Sequence, residues 1–153
     1  RYDLIFGDAF HDISIPAHLV THEFNELVKS KLDKNGIYVV NVVDHPKRPR
    51  FLLSYVKTLM QTFDTVEVWF EPDLNQKSSR STFIIVAGQS DIDFDTVYAT
   101  QGFERSWWRW PKQKLEQAAA SKNLPILTDD RAPVDNLMSR TVADDFSLKT
   151  SKS

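Results

Sequence analysis

Short apolar runs alternate along this chain with longer stretches in which apolar residues recur every three or four positions. Runs of the first kind predict buried strands, and the recurring spacing predicts amphipathic helices. The run Ile37–Val43 is nearly all apolar and β-branched, which is typical of a parallel-sheet strand covered by helices on both faces. The pattern predicts strands at Tyr2–Phe6, Ile37–Val43, Thr65–Phe70 and Thr82–Ala87, and helices at Thr21–Leu32, from Pro49 to Phe63 and at Lys112–Ser121.

The connections between these elements narrow the topology. Thr21 is placed to cap the first helix, and Asp33–Gly36 predicts its end and a turn. The loop between the third and fourth strands has no helix pattern, and this favours antiparallel pairing because a parallel crossover needs more chain. The sequence therefore predicts an α/β fold: a Rossmann-like sheet in the order β-α-β-α-β-β, with an antiparallel last strand.

Size and charge limit the class of protein. The chain has 153 residues, 19 basic against 21 acidic side chains and no cysteine. One domain over residues 1–143 and a polar tail over 144–153 are expected. The near balance of charge argues against a nucleic-acid or anionic-membrane partner, and the lack of cysteine excludes disulfides and a thiol nucleophile. With no membrane-length apolar run and no signal-peptide pattern, we expect a cytoplasmic protein.

Polar residues gather where the predicted strands end. Gly7-Asp8 follows the first strand and leads into a loop with His11 and Asp12, and Asp44-His45-Pro46 follows the second strand. Ligands of open α/β sheets sit beyond the carboxyl ends of the strands, where an acid can accept hydrogen bonds from a hydroxyl or ammonium group. The alternative for Asp8 is a purely local cap on the loop or helix that follows.

Two motifs resemble the spermidine synthase (polyamine aminopropyltransferase) family. The first is Tyr2–Phe10, YDLIFGDAF, with Ser14–Leu19, SIPAHL, downstream, and the second is Leu127–Val134, LTDDRAPV. The element order is similar to the second half of the S-adenosylmethionine-dependent methyltransferase fold. Together these similarities cover residues 2–137.

This resemblance implies transfer of an aminopropyl group from decarboxylated S-adenosylmethionine to a diamine such as putrescine, with release of methylthioadenosine. Carboxylates must hold the protonated diamine, and one amine must lose its proton before it attacks the carbon next to the sulfonium. No metal is expected, because the sulfonium is already a good leaving group.

The resemblance also implies roles for individual residues. Asp8 matches the first loop acid of the family, beside the nucleotide and amine sites. The catalytic acid of the family usually comes three residues later, but His11 stands there and the acid is Asp12. His11 could act as the base near neutral pH, or Asp12 could after a local loop shift. Alternatively, both are ordinary loop residues and the reaction has been lost.

Asp129 and Asp130 complete the candidate site. The resemblance places this acidic pair near the substrate or nucleotide, and the alternative is a helix cap. Two departures concern the substrates. The loop 73–81 lacks the Tyr-Pro pair and glycine that shape the family's diamine pocket, and the glycines at 7, 36, 88 and 102 form no glycine-rich nucleotide loop. We therefore expect that an N-terminal half is missing, or that another chain supplies it at the Tyr2–Phe6 edge, and that the fragment alone is inactive.

Other signals suggest other functions. The run Phe103–Trp110 interleaves arginines with aromatic residues, which favours a subunit contact in a homo-oligomer, or a cover over the core, over stacking on a base or an adenine ring. His18 and His22 are four apart, but no third ligand is evident, so no metal site is expected. A methyltransferase of unknown acceptor that uses S-adenosylmethionine itself, and a non-catalytic relative that binds through Trp107–Trp110, remain alternatives.

Overall fold

A computed structural model describes residues 1–8, 15–72, 80–90, 96–98 and 106–139, with only the backbone described at 96–98. Within these ranges the chain forms strands and helices in regular alternation up to the third strand. The elements are β1 Tyr2–Gly7, α1 His22–Lys31, β2 Leu32–Asp44, α2 Arg50–Leu59, β3 Thr65–Phe70, β4 Ser81–Gly88, β5 Thr96–Tyr98, β6 Ser106–Arg109, α3 Lys112–Ala119 and a last helical stretch, α4, at 134–139.

The strands form one mixed sheet in the order β1-β2-β4-β3-β6-β5. β1 and β2 are parallel, whereas β4 inserts between β2 and β3 and is antiparallel to both. Each helical crossover, through α1 and then α2, returns the chain to a parallel strand, as the rules for β-α-β units require. The predicted Rossmann-like methyltransferase-type architecture and its antiparallel last strand are confirmed.

One face of the sheet carries the helices and the hydrophobic core. Alternate β2 residues Tyr38, Val40 and Val42 point to this face, as do Val66 and Val68 of β3. The helix α2 is almost entirely buried against them, because its apolar side chains cover most of its circumference. Its fully buried apolar side chains are Phe51, Leu52, Tyr55, Val56 and Leu59.

The predicted turn at Asp33–Gly36 lies inside β2 instead of before it. Tyr2 pairs with Leu32 but Leu4 pairs with Ile37, so β2 bulges while β1 advances by two residues. Gly36 is required in this bulge, since a Cβ there would lie 2.7 Å from the Tyr2 carbonyl oxygen. The polar sequence of this segment indicates a turn or a bulge equally well, and only the pairing with β1 separates the two.

The sequence pattern did not predict β5, β6 or α4. The segment Ser106–Arg109 forms β6, which pairs antiparallel with β3 through Trp69 and Phe70. This strand is four residues long, too short for a periodicity signal, and its pairing depends on residues far away in the chain. The expected polar tail at 144–153 lies outside the described residues.

The strand β1 is an open edge in this chain. It pairs with β2 on one side, and its Tyr2, Leu4 and Phe6 side chains are 62%, 55% and 57% exposed on the face opposite the helices. Such an apolar edge strand favours pairing with a further segment. Among the described helices, none has the length and apolar character needed to cross a bilayer.

Candidate functional site at the carboxyl ends of the strands

The ends of β1, β2 and β3 meet at one edge of the sheet. β2 and β3 are each antiparallel to β4, so they run in the same direction as each other and as β1. Asp8 directly after β1, Asp44 at the end of β2 and Glu71 directly after β3 therefore lie at the same end of the sheet. Open α/β sheets bind their ligands at this carboxyl end of their strands.

Asp8 lies directly beyond β1 with its side chain exposed. Its Oδ1 accepts a hydrogen bond from Asn41 Nδ2 at 3.4 Å, while the buried Oδ1 of Asn41 has no hydrogen-bond partner among the residues that the structure describes. Asn41 lies between Val40 and Val42, which point into the core, so it belongs to the face opposite the helices. Asp8 thus presents an exposed carboxylate to that face, next to a polar side chain with an unused acceptor.

Asn41 was missed as a site residue from the sequence. The signal was present, because it is the one polar residue in the apolar run IYVVNVV. A polar residue inside a buried strand needs a partner, and the residue after the neighbouring parallel strand provides it here.

Asp44 ends β2 but points inward and has a structural role. Its carboxylate is completely buried and accepts hydrogen bonds from the backbone N–H of His45 at 2.7 Å and of Leu52 at 2.9 Å. Leu52 lies in the first turn of α2, where N–H groups lack partners within the helix. Asp44 thus caps α2 and fixes the loop that follows β2.

Asp129 and Asp130 lie in a tight turn held against the start of α1. Thr128 and Arg131 exchange two backbone hydrogen bonds across the turn, at 3.1 and 3.0 Å. The Asp129 N–H donates to Glu23 Oε2 at 3.0 Å. The His22 N–H donates to the Leu127 carbonyl oxygen at 2.8 Å, so two bonds join this turn to the first turn of α1.

A cavity of about 490 Å³ opens between this turn and α1. His18, Glu23 and Asp129 line it together with the apolar side chains of Phe24 and Leu27. Two carboxylates at one cavity can attract a cation. Glu23 was not predicted, since an exposed acid in the first turn of a helix has an ordinary electrostatic explanation.

The structure brings together only some of the predicted site residues. Asp129 lines the cavity, and Asp130 is exposed in the same turn. Asp8 and Asp129 are not joined by a hydrogen bond or ion pair in the part of the chain that the structure describes. His11 and Asp12, the two candidate bases, lie outside the described residues.

The histidine pair considered for a metal is divided between two environments. His18 lines the cavity, whereas His22 Nδ1 lies 3.2 Å from Thr62 Oγ1. The described ranges contain no group of three or more histidines and acids arranged to hold a metal ion.

Two buried tyrosines lie under the end of β1. A Cβ on Gly7 would lie 3.0 Å from the Tyr38 hydroxyl, which is 3.4 Å from the Tyr55 hydroxyl. Burial raises the pKa of Tyr38 above its usual 10, although the hydrogen bond from Tyr55 opposes this effect. Burial, with Tyr38 beside it, raises the pKa of Tyr55 well above the usual value. Both hydroxyls therefore stay protonated near neutral pH and cannot serve there as bases.

No family model matches the chain, but comparisons with known proteins found a similar sequence and a similar structure. A Bifidobacterium longum (strain NCC 2705) protein named "Probable polyamine aminopropyl transferase" is 28% identical over 155 residues, which cover 90% of this chain and 34% of that protein. The crystal structure of a probable spermidine synthase from Corynebacterium glutamicum ATCC 13032 matches with a TM-score of 0.64 and 20% identity. That match covers 86% of this chain and 48% of the solved one.

The chain therefore spans less than half the length of either relative. The sequence similarity covers 90% of this chain, and the structural similarity supports the same sheet architecture. The resemblance predicted from the two motifs is confirmed, and the chain is spermidine synthase-like.

Proposed function

We propose that the protein containing this chain is a transferase that moves an aminopropyl group from decarboxylated S-adenosylmethionine to a diamine such as putrescine. The observation that carries this proposal is the exposed Asp8 carboxylate just beyond β1, held by Asn41 at the ligand-binding edge of the sheet. The similarity to a polyamine aminopropyl transferase supports the reaction class. The role would belong to polyamine biosynthesis in the cytoplasm.

In the proposed reaction Asp8 holds and orients the amine that attacks. Asp12 or His11 takes one proton from that ammonium group, and the freed nitrogen lone pair attacks the carbon beside the sulfonium. A C–N bond forms as the C–S bond breaks, and its electron pair leaves on sulfur as neutral methylthioadenosine. The proton remains on the base until solvent removes it, so charge and atoms balance.

The second charge of the diamine needs its own partner. We assign this role to the acidic cavity beside α1, where Glu23 and Asp129 supply two carboxylates and Phe24 an apolar wall. A methylene chain between two ammonium groups requires this combination of charge and apolar surface. Asp130, in the same turn, would contribute to substrate or nucleotide binding.

The rest of the nucleotide site must come from outside the described sheet. We propose that residues 1–143 are the later part of a Rossmann-like domain, followed by a polar tail at 144–153. A preceding half or another chain would pair with the β1 edge, whose Leu4 and Phe6 are exposed. A homo-oligomer is part of this proposal, and its contact surface would include the exposed Trp108.

The test is turnover by the complete protein with decarboxylated S-adenosylmethionine and putrescine. Asp8→Asn keeps the shape of the side chain but removes its charge, and we expect kcat/KM to fall about 100-fold. Asp64→Asn is the matched control, because Asp64 is exposed immediately before β3, at the amino end of that strand and away from Asp8. Unchanged turnover in Asp8→Asn would show that this carboxylate does not hold the substrate.

The base is tested separately with the double variant His11→Ala/Asp12→Ala. Loss of turnover with retained nucleotide binding would support the assignment, whereas full activity would remove both residues from the mechanism. Methyl transfer from S-adenosylmethionine, with no aminopropyl transfer, would instead favour the methyltransferase alternative that the fold also supports. Lack of affinity for either nucleotide would favour a binding or assembly role through the Trp107–Trp110 surface.

A further inference from the structure

A second cavity, of about 470 Å³, lies at the ends of β2 and β3. Its walls come from four parts of the chain: the loop after β2, the end of β3, the start of β4 and the segment leading into α3. They are mainly apolar rings, contributed by Pro46, Phe70, Phe83, Trp110 and Pro111. A volume of this size and an apolar lining are typical of small-molecule sites.

This cavity is distinct from the site around Asp8. Phe70, Phe83 and Trp110 pack against the hydrophobic core under the helices. Asn41, the partner of Asp8, points to the other face of the sheet. The sheet therefore lies between this cavity and Asp8, and the cavity shares no described lining residue with the one beside α1.

The charged groups at this cavity favour an anion. Lys47 and Lys114 line it on two sides, against the single carboxylate of Glu71 among the described lining residues. Other lysines have structural roles, since Lys57 Nζ donates to the carbonyl oxygens of Ser121 and Leu124. The Nζ groups of Lys47 and Lys114 make no such bond within the described part of the chain, so they can pair with a ligand.

We propose that this cavity binds a small organic anion with a planar apolar body, an aromatic carboxylate. The flat body would stack on the Trp110 and Phe70 rings, and the carboxylate would face Lys47 and Lys114. A diamine and decarboxylated S-adenosylmethionine are cations, which these lysines disfavour. The ligand is thus of a different class from the substrates of the proposed reaction.

The test compares 2-naphthoate with its neutral analogue 2-naphthalenemethanol by calorimetric titration of the protein. We expect 2-naphthoate to bind at least tenfold more tightly and to shift the indole N–H signal of Trp110, assigned with Trp110→Phe. In Lys47→Met/Lys114→Met the affinity for 2-naphthoate should fall about tenfold. The matched control is Lys31→Met/Lys122→Met, which removes two exposed lysines elsewhere and should change the affinity less than twofold.

Three results would overturn the proposal. The first is no 2-naphthoate binding at millimolar concentration. The second is equal affinity for the neutral analogue, or equal loss in both lysine double variants. The third is a signal change at Tyr2, Leu4 and Phe6 in place of Trp110, which would place the probe on the opposite face. Because aminopropyl transfer is measured with other ligands, these failures are separate from failure of the proposed function.

Discussion

The two faces of the sheet have opposite characters. On the helix-bearing face Tyr38, Val40 and Val42 of β2 are buried under α1 and α2. On the other face the side chains of Tyr2, Leu4 and Phe6 are more than half exposed, and the buried Asn41 Oδ1 has no partner within the described ranges. Within the described residues, helices cover one face of the sheet, whereas the other face is exposed at β1.

The second face itself differs in burial between the β3–β6 pair and β1. At β3 the side chain of Glu67 is buried, and its carboxylate pairs with Arg109 of β6 at 3.0 Å and accepts from Trp69 Nε1 at 3.3 Å. At β1 the same face is open. Stability therefore depends mainly on the helical face and on the β3–β6 end, whereas the β1 end of the second face stays exposed.

Truncation of a core leucine should show the largest difference between the faces. Leu52→Ala removes a fully buried side chain of α2, and we expect the free energy of unfolding to fall by about 3 kcal/mol. Leu4→Ala is the matched control on the open face and should cost less than about 1 kcal/mol. Urea unfolding followed by circular dichroism measures both variants in this chain. Equal losses would contradict the difference between the faces.

Loss of the ion pair at the closed end should have the next largest effect. Glu67→Gln removes the carboxylate that Arg109 Nη1 contacts at 3.0 Å, and we expect a loss of about 2 kcal/mol in the free energy of unfolding. Glu116→Gln, at an exposed position on α3, serves as the control. If the two variants unfold at the same urea concentration, Glu67 does not anchor β6.

The buried tyrosines should make the helical face sensitive to alkali. Their pKa values are raised on folding, so the unfolded chain loses these protons first, and the associated stability is complete below pH 10 and is lost as pH rises above it. We expect the free energy of unfolding to fall by up to about 1.4 kcal/mol per pH unit for each tyrosine. Urea unfolding from pH 9 to 11 should show a shallower decline in Tyr38→Phe/Tyr55→Phe, and an identical decline would show that other groups control it.

A polar substitution on the open face should have the smallest effect. Phe6→Thr replaces an exposed ring with another residue that is common in strands, so we expect a change below about 0.5 kcal/mol in this chain. The same substitution should cost more in a longer form in which a further segment covers β1. Urea unfolding of both forms measures this, and a large loss in this chain alone would show that the face is already packed here.

Sequence periodicity predicted the elements whose side chains alternate over a long stretch. The burial of α2 follows from such a pattern, whereas the antiparallel β3–β4 pair follows from a connecting loop with no helix pattern. The bulge at 33–36 could not be predicted, because a polar segment ending in glycine suits a turn as well. Its position depends on which β1 residue pairs with Leu32, a long-range choice.

The candidate site was predictable where a residue's chemistry follows from its place after a strand. Asp8 was predicted in this way as a site residue, and the structure places it exposed just beyond β1. Asp44 follows the next strand by the same pattern, yet it turns inward to bind the Leu52 N–H. Sequence position alone does not separate these two orientations, because the difference arises from how α2 packs over β2.

The bulge opposite Tyr2 has a consequence for whatever adds to β1. Gly36 admits the Tyr2 carbonyl at a distance that no larger residue allows, so β1 cannot slide along β2 without losing this fit. A strand that pairs with β1 would therefore find β1 in a fixed register relative to the rest of the sheet. Its side chains opposite Leu4 and Phe6 would share their face of the sheet and must be apolar, while those between them would face the helices.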